Sequence, residues 1–231
     1  MLRSTIVIYL RFQVEIDHIF ICVQPGAPEA EALARFGLLE GSGNTHPGQG
    51  TANRRFFFDN AFVELLWLAD AAEANSDATR PTMLFQRLTG DAARVSPFGL
   101  CFRPGGADGP HAPFPSWQYR PAYLPPGLAV DVADAPATEP MWFFLAFGGR
   151  PDAAAPARRQ PLQRPGGLRQ ITSLRLTSPI RGAASAAAAA AGAAGVQMVA
   201  GDGHLLEIGF DHEGAGRAHD FRPGLPLLLR W

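Results

Sequence analysis

A strand–helix–strand–strand order occurs twice in this chain, once near each end, and a repeat of that kind points to an α+β fold built from duplicated units. In the first unit, Asp17 to Val23 (DHIFICV) is a β-branched and aromatic run closed by Gln24-Pro25-Gly26, which predicts a strand. Pro28 to Phe36 has proline at an early helical position, two glutamates in its first turn, Arg35 in its last and Gly37 just beyond, the start and stop signals of a helix. After the polar loop Gly41 to Gly50 come the strands Thr51 to Phe58 and Ala61 to Leu68, joined by a turn at Asp59-Asn60, and a further strand is expected near Leu38 to Gly41. In the second unit, Ile171 to Thr177 reads as a strand ended by Pro179, Arg181 to Ala194 has the alanine content of a helix, and Val196 to Phe210 supplies two strands around Asp202-Gly203. Leu225 to Trp231 reads as a final strand. Aligning the copies by element sets Asp17-His18 against Thr172-Ser173 and Glu64 against Glu207.

Four segments follow: a first unit over 12–70, a central strand-rich block over 71–147, a linker over 148–167 and a C-terminal unit over 168–231. The central block has strand-like runs at Phe98 to Arg103, Trp117 to Tyr119, Leu128 to Val132 and Met141 to Phe147, and reads as a helix-poor copy of the same unit. Gly148 to Gly167, rich in proline, glycine and arginine, has the composition of a mobile segment that packs little.

Composition narrows the function. All 20 basic residues are arginine, the net charge is −1, and the arginines are scattered from Arg3 to Arg230 without a basic stripe, so nucleic acid is not an expected partner. The alanine, glycine and arginine bias suggests a bacterial, GC-rich source. Ile6 to Leu10 is too short for a signal-peptide core and no run approaches the ~20 apolar residues of a membrane span, so a cytoplasmic protein without a membrane partner is expected. Cys22 and Cys101 each sit in an apolar run and read as reduced core residues. GxSxG, P-loop, GxGxxG and CxxC motifs are all missing, which leaves hydrolase, nucleotide-binding and zinc-ribbon readings without support.

The chemistry-bearing residues stand inside apolar strands. Glu64 lies in AFVELLWL and Glu207 in HLLEIGF; a carboxylate so placed costs several kcal/mol unless it is paired, protonated or bound to a cation. His18, on a regular strand, shares a face with Phe20 and Cys22. One imidazole and two carboxylates suit Fe, Mn, Ni or Zn. In the loop His46-Pro47-Gly48-Gln49-Gly50-Thr51-Ala52-Asn53-Arg54, glycine and proline let backbone approach a ligand, and Asn53 and Arg55 share one strand face while Arg54 takes the other. Trp117, Tyr119 and Arg120 combine aromatic surface with a cation, as small-molecule pockets do.

The strand opening Asp17-His18, the HPGQGTANR loop and the strand Phe62-Val63-Glu64-Leu65-Leu66 together resemble the glyoxalase-like branch of the vicinal oxygen chelate superfamily. The resemblance implies repeated βαβββ modules whose curved mixed sheets enclose a cavity, with the first and last strands of each module supplying ligands to a divalent metal. It places His18, Glu64 and Glu207 at metal positions, with Ser173 where a second histidine or a glutamine is expected. If the central block pairs with the first module, Glu207 does not line the same cavity. The expected function is a metal-dependent lyase, isomerase or dioxygenase acting on an oxygenated organic molecule, without an organic cofactor. In it Glu64 and Glu207 are the catalytic carboxylates, and Arg54 or Arg120 holds a substrate anion. The alternative is sequestration of a hydrophobic or aromatic compound in that cavity, where Phe56, Phe57, Phe58, Trp67, Trp117 and Trp142 matter more than His18. The partner in either case is a small molecule, and a homodimer stays open.

Overall fold

A computed structural model describes residues 14–91, 94–106, 111–163, 168–179 and 183–231. The residues before Val14, the expected helix start at Arg181 and Gly182, and 164–167 of the expected linker lie outside the described residues. The elements run β1 (Val14–Cys22), α1 (Ala30–Phe36), β2 (Asn44–His46), β3 (Thr51–Phe57), β4 (Phe62–Leu68), α2 (Ala71–Ala74), α3 (Leu84–Thr89), β5 (Phe98–Pro104), β6 (Ser116–Tyr119), β7 (Val130–Ala133) and β8 (Met141–Phe144). They continue with β9 (Ile171–Ser178), α4 (Ala186–Ala193), β10 (Val196–Ala200), β11 (Leu205–Phe210), β12 (Ala218–Asp220) and β13 (Leu227–Arg230). The fold is α+β, with two curled mixed sheets and few helices.

The first sheet has eight strands in the order β2-β3-β4-β1-β5-β8-β7-β6. Its two halves repeat one pattern about the antiparallel β1–β5 seam. β1 pairs parallel with β4 as β5 does with β8, and the outer pairs on both sides are antiparallel. The central block therefore joins the first unit in a single sheet. The second sheet, β10-β9-β11-β13-β12, belongs to the C-terminal unit alone.

Both sheets turn one face onto a shared core. Ile19, Ile21, Val63, Leu65, Leu100, Phe102 and Trp142 from the first sheet meet Leu174, Leu176, Leu206, Ile208, Phe210 and Leu227 from the second. Phe58 packs on Phe210 with ring centroids 4.7 Å apart, and each such buried phenylalanine contributes about 1.5–3 kcal/mol. Helix α4 adds Ala187, Ala188 and Ala191 to the same core, its small side chains letting it lie close. The opposite face of the first sheet is a separate apolar cluster that includes Phe20, Leu66, Cys101, Met141 and Phe143 and forms the floor of a cup. No helix among the described residues is long and apolar enough to cross a membrane.

Two expectations need correction and a third is refined. The strand near Leu38 to Gly41 is only an isolated bridge from Glu40 to Phe56; the strand forms at Asn44–His46, where it pairs with β3. The segment 148–163 is largely exposed, but its end is anchored. Leu162 bridges to Phe57, and Gln163 is buried, donating to the Leu39 and Phe57 carbonyls and accepting from Leu39 N–H, so it stitches the chain to β3. Finally, aligning Glu64 with Glu207 fails on strand direction. β4 is parallel to β1, whereas β11 is antiparallel to β9.

Candidate active site

The cup holds a cavity of about 290 Å³. One side is polar, with His18, Glu64, Asn53, Arg55, His46 and Gln49; the other is apolar, with Met141, Phe143, Leu145, Val130 and Leu124. Small-molecule sites combine such surfaces, a few convergent polar groups on an otherwise apolar wall.

His18 reaches this cavity because β1 slips phase. Val14 and Ile16 pack toward the shared core, but so do Ile19 and Ile21, which on a regular two-residue period would lie on opposite faces. The pairing with β5 shows the cause: Ile16 faces Phe102 and His18 faces Cys101, leaving Asp17 as an extra, unpaired residue. Such a bulge re-aims side chains. Here it lets Asp17 and His18 meet, with His18 Nδ1 2.7 Å from Asp17 Oδ1. A carboxylate only accepts, so the shared proton belongs on Nδ1, and in the neutral ring Nε2 is the nitrogen without a proton, turned into the cavity toward Glu64.

The groups behind this pair are also buried. Arg103, only 2% exposed, donates to the Ile16 and Asn60 carbonyls and to Glu15 Oε2, and lies 3.6 Å from Asp17 Oδ2. Gly148 packs against the same carboxylate, and a Cβ built there would stand 2.6 Å from Asp17 Oδ2, so the close approach requires glycine.

On the cavity side, Glu64 Oε2 is 3.6 Å from His18 Nε2. Asn53 Nδ2 donates to Glu64 Oε1 at 2.6 Å, and the Asn53 carbonyl oxygen accepts from Asn44 N–H at 2.7 Å. Backbone thus orients Asn53, and Asn53 orients Glu64. Phe62 stacks on the His18 ring at 4.5 Å, and Phe143 meets it edge-on at 5.3 Å.

The HPGQG loop forms the rim. His46 Nδ1 lies 2.8 Å from Thr51 Oγ1, Gln49 donates to the same hydroxyl, and the Tyr123 ring lies tilted against His46 with centroids 4.8 Å apart. Burial pushes the His46 imidazole below its ordinary value, the nearby Glu64 charge partly offsetting it. His46 is therefore a neutral wall at pH 7. Gly50, at φ +74°, has no room for a side chain because its Cβ would collide with the Asp70 carbonyl. Burial raises Cys22 to about 12 and Cys101 well above its ordinary value, so neither thiol is an activated nucleophile.

Of the residues singled out from sequence, the cavity brings together His18, Glu64, His46, Asn53 and Tyr119. It does not include Glu207. Leu206 and Ile208 turn inward, so Glu207 takes the outer face of the second sheet, where Arg230 binds it at 2.7 Å and Arg175 lies 3.6 Å away. Arg54 points away from the cavity and pairs with Glu31 and Glu40. Arg120 is exposed and donates to Gln118, Trp67 packs against the shared core, and Trp117 lies beside Tyr119 outside the cavity lining. Sequence reasoning missed Asp17 as the partner of His18, Arg55 as the cavity arginine, and Phe62, Tyr123 and Phe143 as walls. The phase slip at Asp17 and the face shared by Arg55 and Asn53 were the available signals.

The donor set does not fit a divalent-metal centre of three or four protein ligands. His18 Nε2 and Glu64 Oε2 are two donors; His46 lines the same cavity but does not group with them within 4.8 Å among the described residues, and the facing wall offers Met141, Phe143 and Leu145. Among the described residues, one group of metal-capable side chains has its ligand atoms within 4.8 Å of one another: Asp17, His18 and Cys101. Its members are engaged otherwise. Asp17 is hydrogen-bonded to His18 Nδ1 and backed by Arg103, and Cys101 Sγ donates to the Phe102 carbonyl. The expected centre of His18, Glu64 and Glu207 is therefore corrected to a buried Asp17–His18 pair facing Glu64.

Comparison with known proteins agrees with this architecture. The family model described as a glyoxalase-like domain matches residues 16–192. A crystal structure of a hypothetical protein from Staphylococcus aureus is similar at a TM-score of 0.53 and 11% identity, over 94% of this chain and 99% of that one, a likeness of fold alone. No curated protein matches. With a family match over most of its length and the paired half-sheets around a cup, the chain belongs to the glyoxalase-like domain family of the vicinal oxygen chelate superfamily.

Proposed function

We propose that this chain is an enzyme that moves a proton on a small carbonyl compound bearing a neighbouring oxygen, and that it does so with its own side chains. The observation that carries this reading is the buried Asp17–His18 pair, whose free Nε2 enters a cavity beside an oriented carboxylate. His18 Nε2 takes a proton from the carbon next to the carbonyl, leaving an enolate, and Asp17 steadies the imidazolium that forms. Glu64 accepts a hydrogen bond from a substrate hydroxyl and fixes its orientation. Return of the proton to the same carbon gives exchange; its delivery to the former carbonyl carbon, with the hydroxyl proton passing to the enolate oxygen, gives isomerisation, and the reaction is redox-neutral overall. The apolar wall of Phe143, Met141 and Leu145 excludes water from the reacting carbon.

The test is solvent deuterium exchange followed by proton NMR, with phenylpyruvate and 2-hydroxyacetophenone as probes. The expected result is exchange above the uncatalysed rate in the wild type, lost in His18→Gln and Glu64→Gln variants that keep the native melting temperature. Exchange that persists in the folded His18→Gln variant refutes the reading.

A second reading, sequestration of an aromatic compound, is favoured by the aromatic and apolar lining of Phe20, Phe62, Phe143 and Leu145. It predicts a ligand-induced rise in melting temperature that is equal in wild type and Glu64→Gln, with no exchange in either.

A further inference from the structure

We infer that Arg55 is a specificity determinant that selects a carboxylate on the substrate, so that the molecules taken up are small organic acids with an apolar body. The inference rests on the cavity being a substrate site, as proposed above.

Arg55 is the arginine that lines the cavity among the described residues. Most of the other arginines whose contacts the structure gives are matched to acids: Arg54 to Glu31 and Glu40, Arg103 to Glu15, Arg150 to Asp152, Arg222 to Asp220 and Arg230 to Glu207. Arg87, which is buried, instead caps the carbonyls of Ser96, Ala137 and Glu139. Arg55 differs from both kinds. Its Nε donates to the Ser42 carbonyl at 2.8 Å and its Nη2 to Ser42 Oγ at 3.1 Å, so the guanidinium is held from behind by neutral groups. Nη2 also reaches the Gly43 carbonyl at 3.5 Å, while Nη1 has no hydrogen-bond partner among the described residues, and the side chain lines the cavity.

The cation is also partly desolvated. Burial lowers the Arg55 guanidinium from its ordinary value, which the Glu64 charge partly offsets. It sits over two aromatic faces, with Cζ 5.2 Å from the Phe57 centroid and 5.8 Å from that of Phe62. A cation that has lost water and is fixed by neutral acceptors gains most from an incoming anion.

Geometry adds a size limit. Phe62 is the ring that also stacks on His18. Arg55 and the proton-accepting nitrogen therefore flank one side chain, and a ligand touching both is about as long as one substituted ring or a short branched acid. Its carboxylate meets Arg55, its reacting carbon meets His18, and its apolar body lies against Phe143 and Leu145. Glu64, on the strand position paired with Arg55, repels an anion that enters in the reverse sense and so fixes polarity.

Binding can be measured without turnover. Phenylacetate and its neutral isostere phenylacetamide are titrated into the full chain by calorimetry, alongside Arg55→Gln, Arg55→Lys and the control Arg54→Gln. The expected result is binding of phenylacetate at least roughly tenfold tighter than of the amide, as loss of a charge-assisted hydrogen bond implies. The preference should vanish in Arg55→Gln, persist in part in Arg55→Lys and be unchanged in Arg54→Gln. Equal affinity for acid and amide overturns the inference, as does failure of the wild type to bind phenylacetate or a retained preference in Arg55→Lys and Arg55→Gln alike. The outcome is separate from that of the exchange experiment: acid selectivity without exchange removes the proposed reaction and keeps Arg55, whereas exchange without acid selectivity does the reverse.

Discussion

The two halves of the eight-stranded sheet share strand order and strand direction, yet they present opposite chemistry to the cup between them. β1, β3 and β4 deliver His18, Asn53, Arg55 and Glu64, whereas β7 and β8 deliver Val130, Met141 and Phe143. A duplicated backbone has thus been divided into a reacting side and a shaping side. The cost of burying charge explains why the division is sharp. The ionisable groups on the polar side have bonded supports, Asp17 for His18 and Asn53 for Glu64, whereas the other side, apart from Tyr119 and its Thr79 partner, presents chiefly hydrocarbon and aromatic rings among the described residues.

The largest effect expected from breaking this asymmetry is on turnover. His18→Gln should reduce deuterium exchange by about 10²–10⁴-fold, the usual contribution of a positioned acid–base group, while Phe143→Leu on the opposite wall should change substrate affinity more than rate. Steady-state kinetics separate the two.

Next in size is the buried support. Arg103→Met leaves Glu15 and Asp17 facing an apolar side chain and should cost about 3–5 kcal/mol in denaturant unfolding. A smaller effect is pH-dependent. Because burial depresses the His46 value in the folded state, the unfolded chain binds the extra proton first. Stability is therefore full above about pH 6.5 and falls as pH drops through the depressed folded value. Melting curves across that acid range should show the loss, and His46→Asn should flatten it. Smallest is the change on the second sheet. Glu207→Gln, on an outer face with two partly exposed arginine partners, should alter stability by about 1 kcal/mol or less and leave exchange untouched.

Much of this was legible in the chain. The helix stop at Gly37 is a left-handed C-cap at φ 108°, β1, β3 and β4 fall where β-branched and aromatic runs predict strands, and Glu64 and His18 do share a cavity. What misled was reading each strand alone. In HLLEIGF the apolar neighbours of Glu207 suggested burial on both faces, but Leu206 and Ile208 occupy the inward one and leave the acid outside with Arg230. The arginines were confused for a related reason: Arg54 and Arg55 are adjacent, and only the register of β3 on β4 decides which one faces Glu64. The Asp17 bulge needs its partner strand, so a one-residue slip in the apolar period was visible while its consequence, an aspartate brought onto a histidine, was not. The segment 148–163 has a loop's composition, and its anchoring, by the Leu162 bridge to Phe57 and the buried Gln163 amide, is not something composition can reveal.

Exchange by chelator-stripped protein is the most direct measurement. If Asp17, His18 and Glu64 suffice, protein freed of divalent metal should exchange the phenylpyruvate proton as fast as untreated protein, and added Fe, Mn, Ni or Zn should not accelerate it. An inactive stripped protein whose exchange returns with one of those ions would contradict the account.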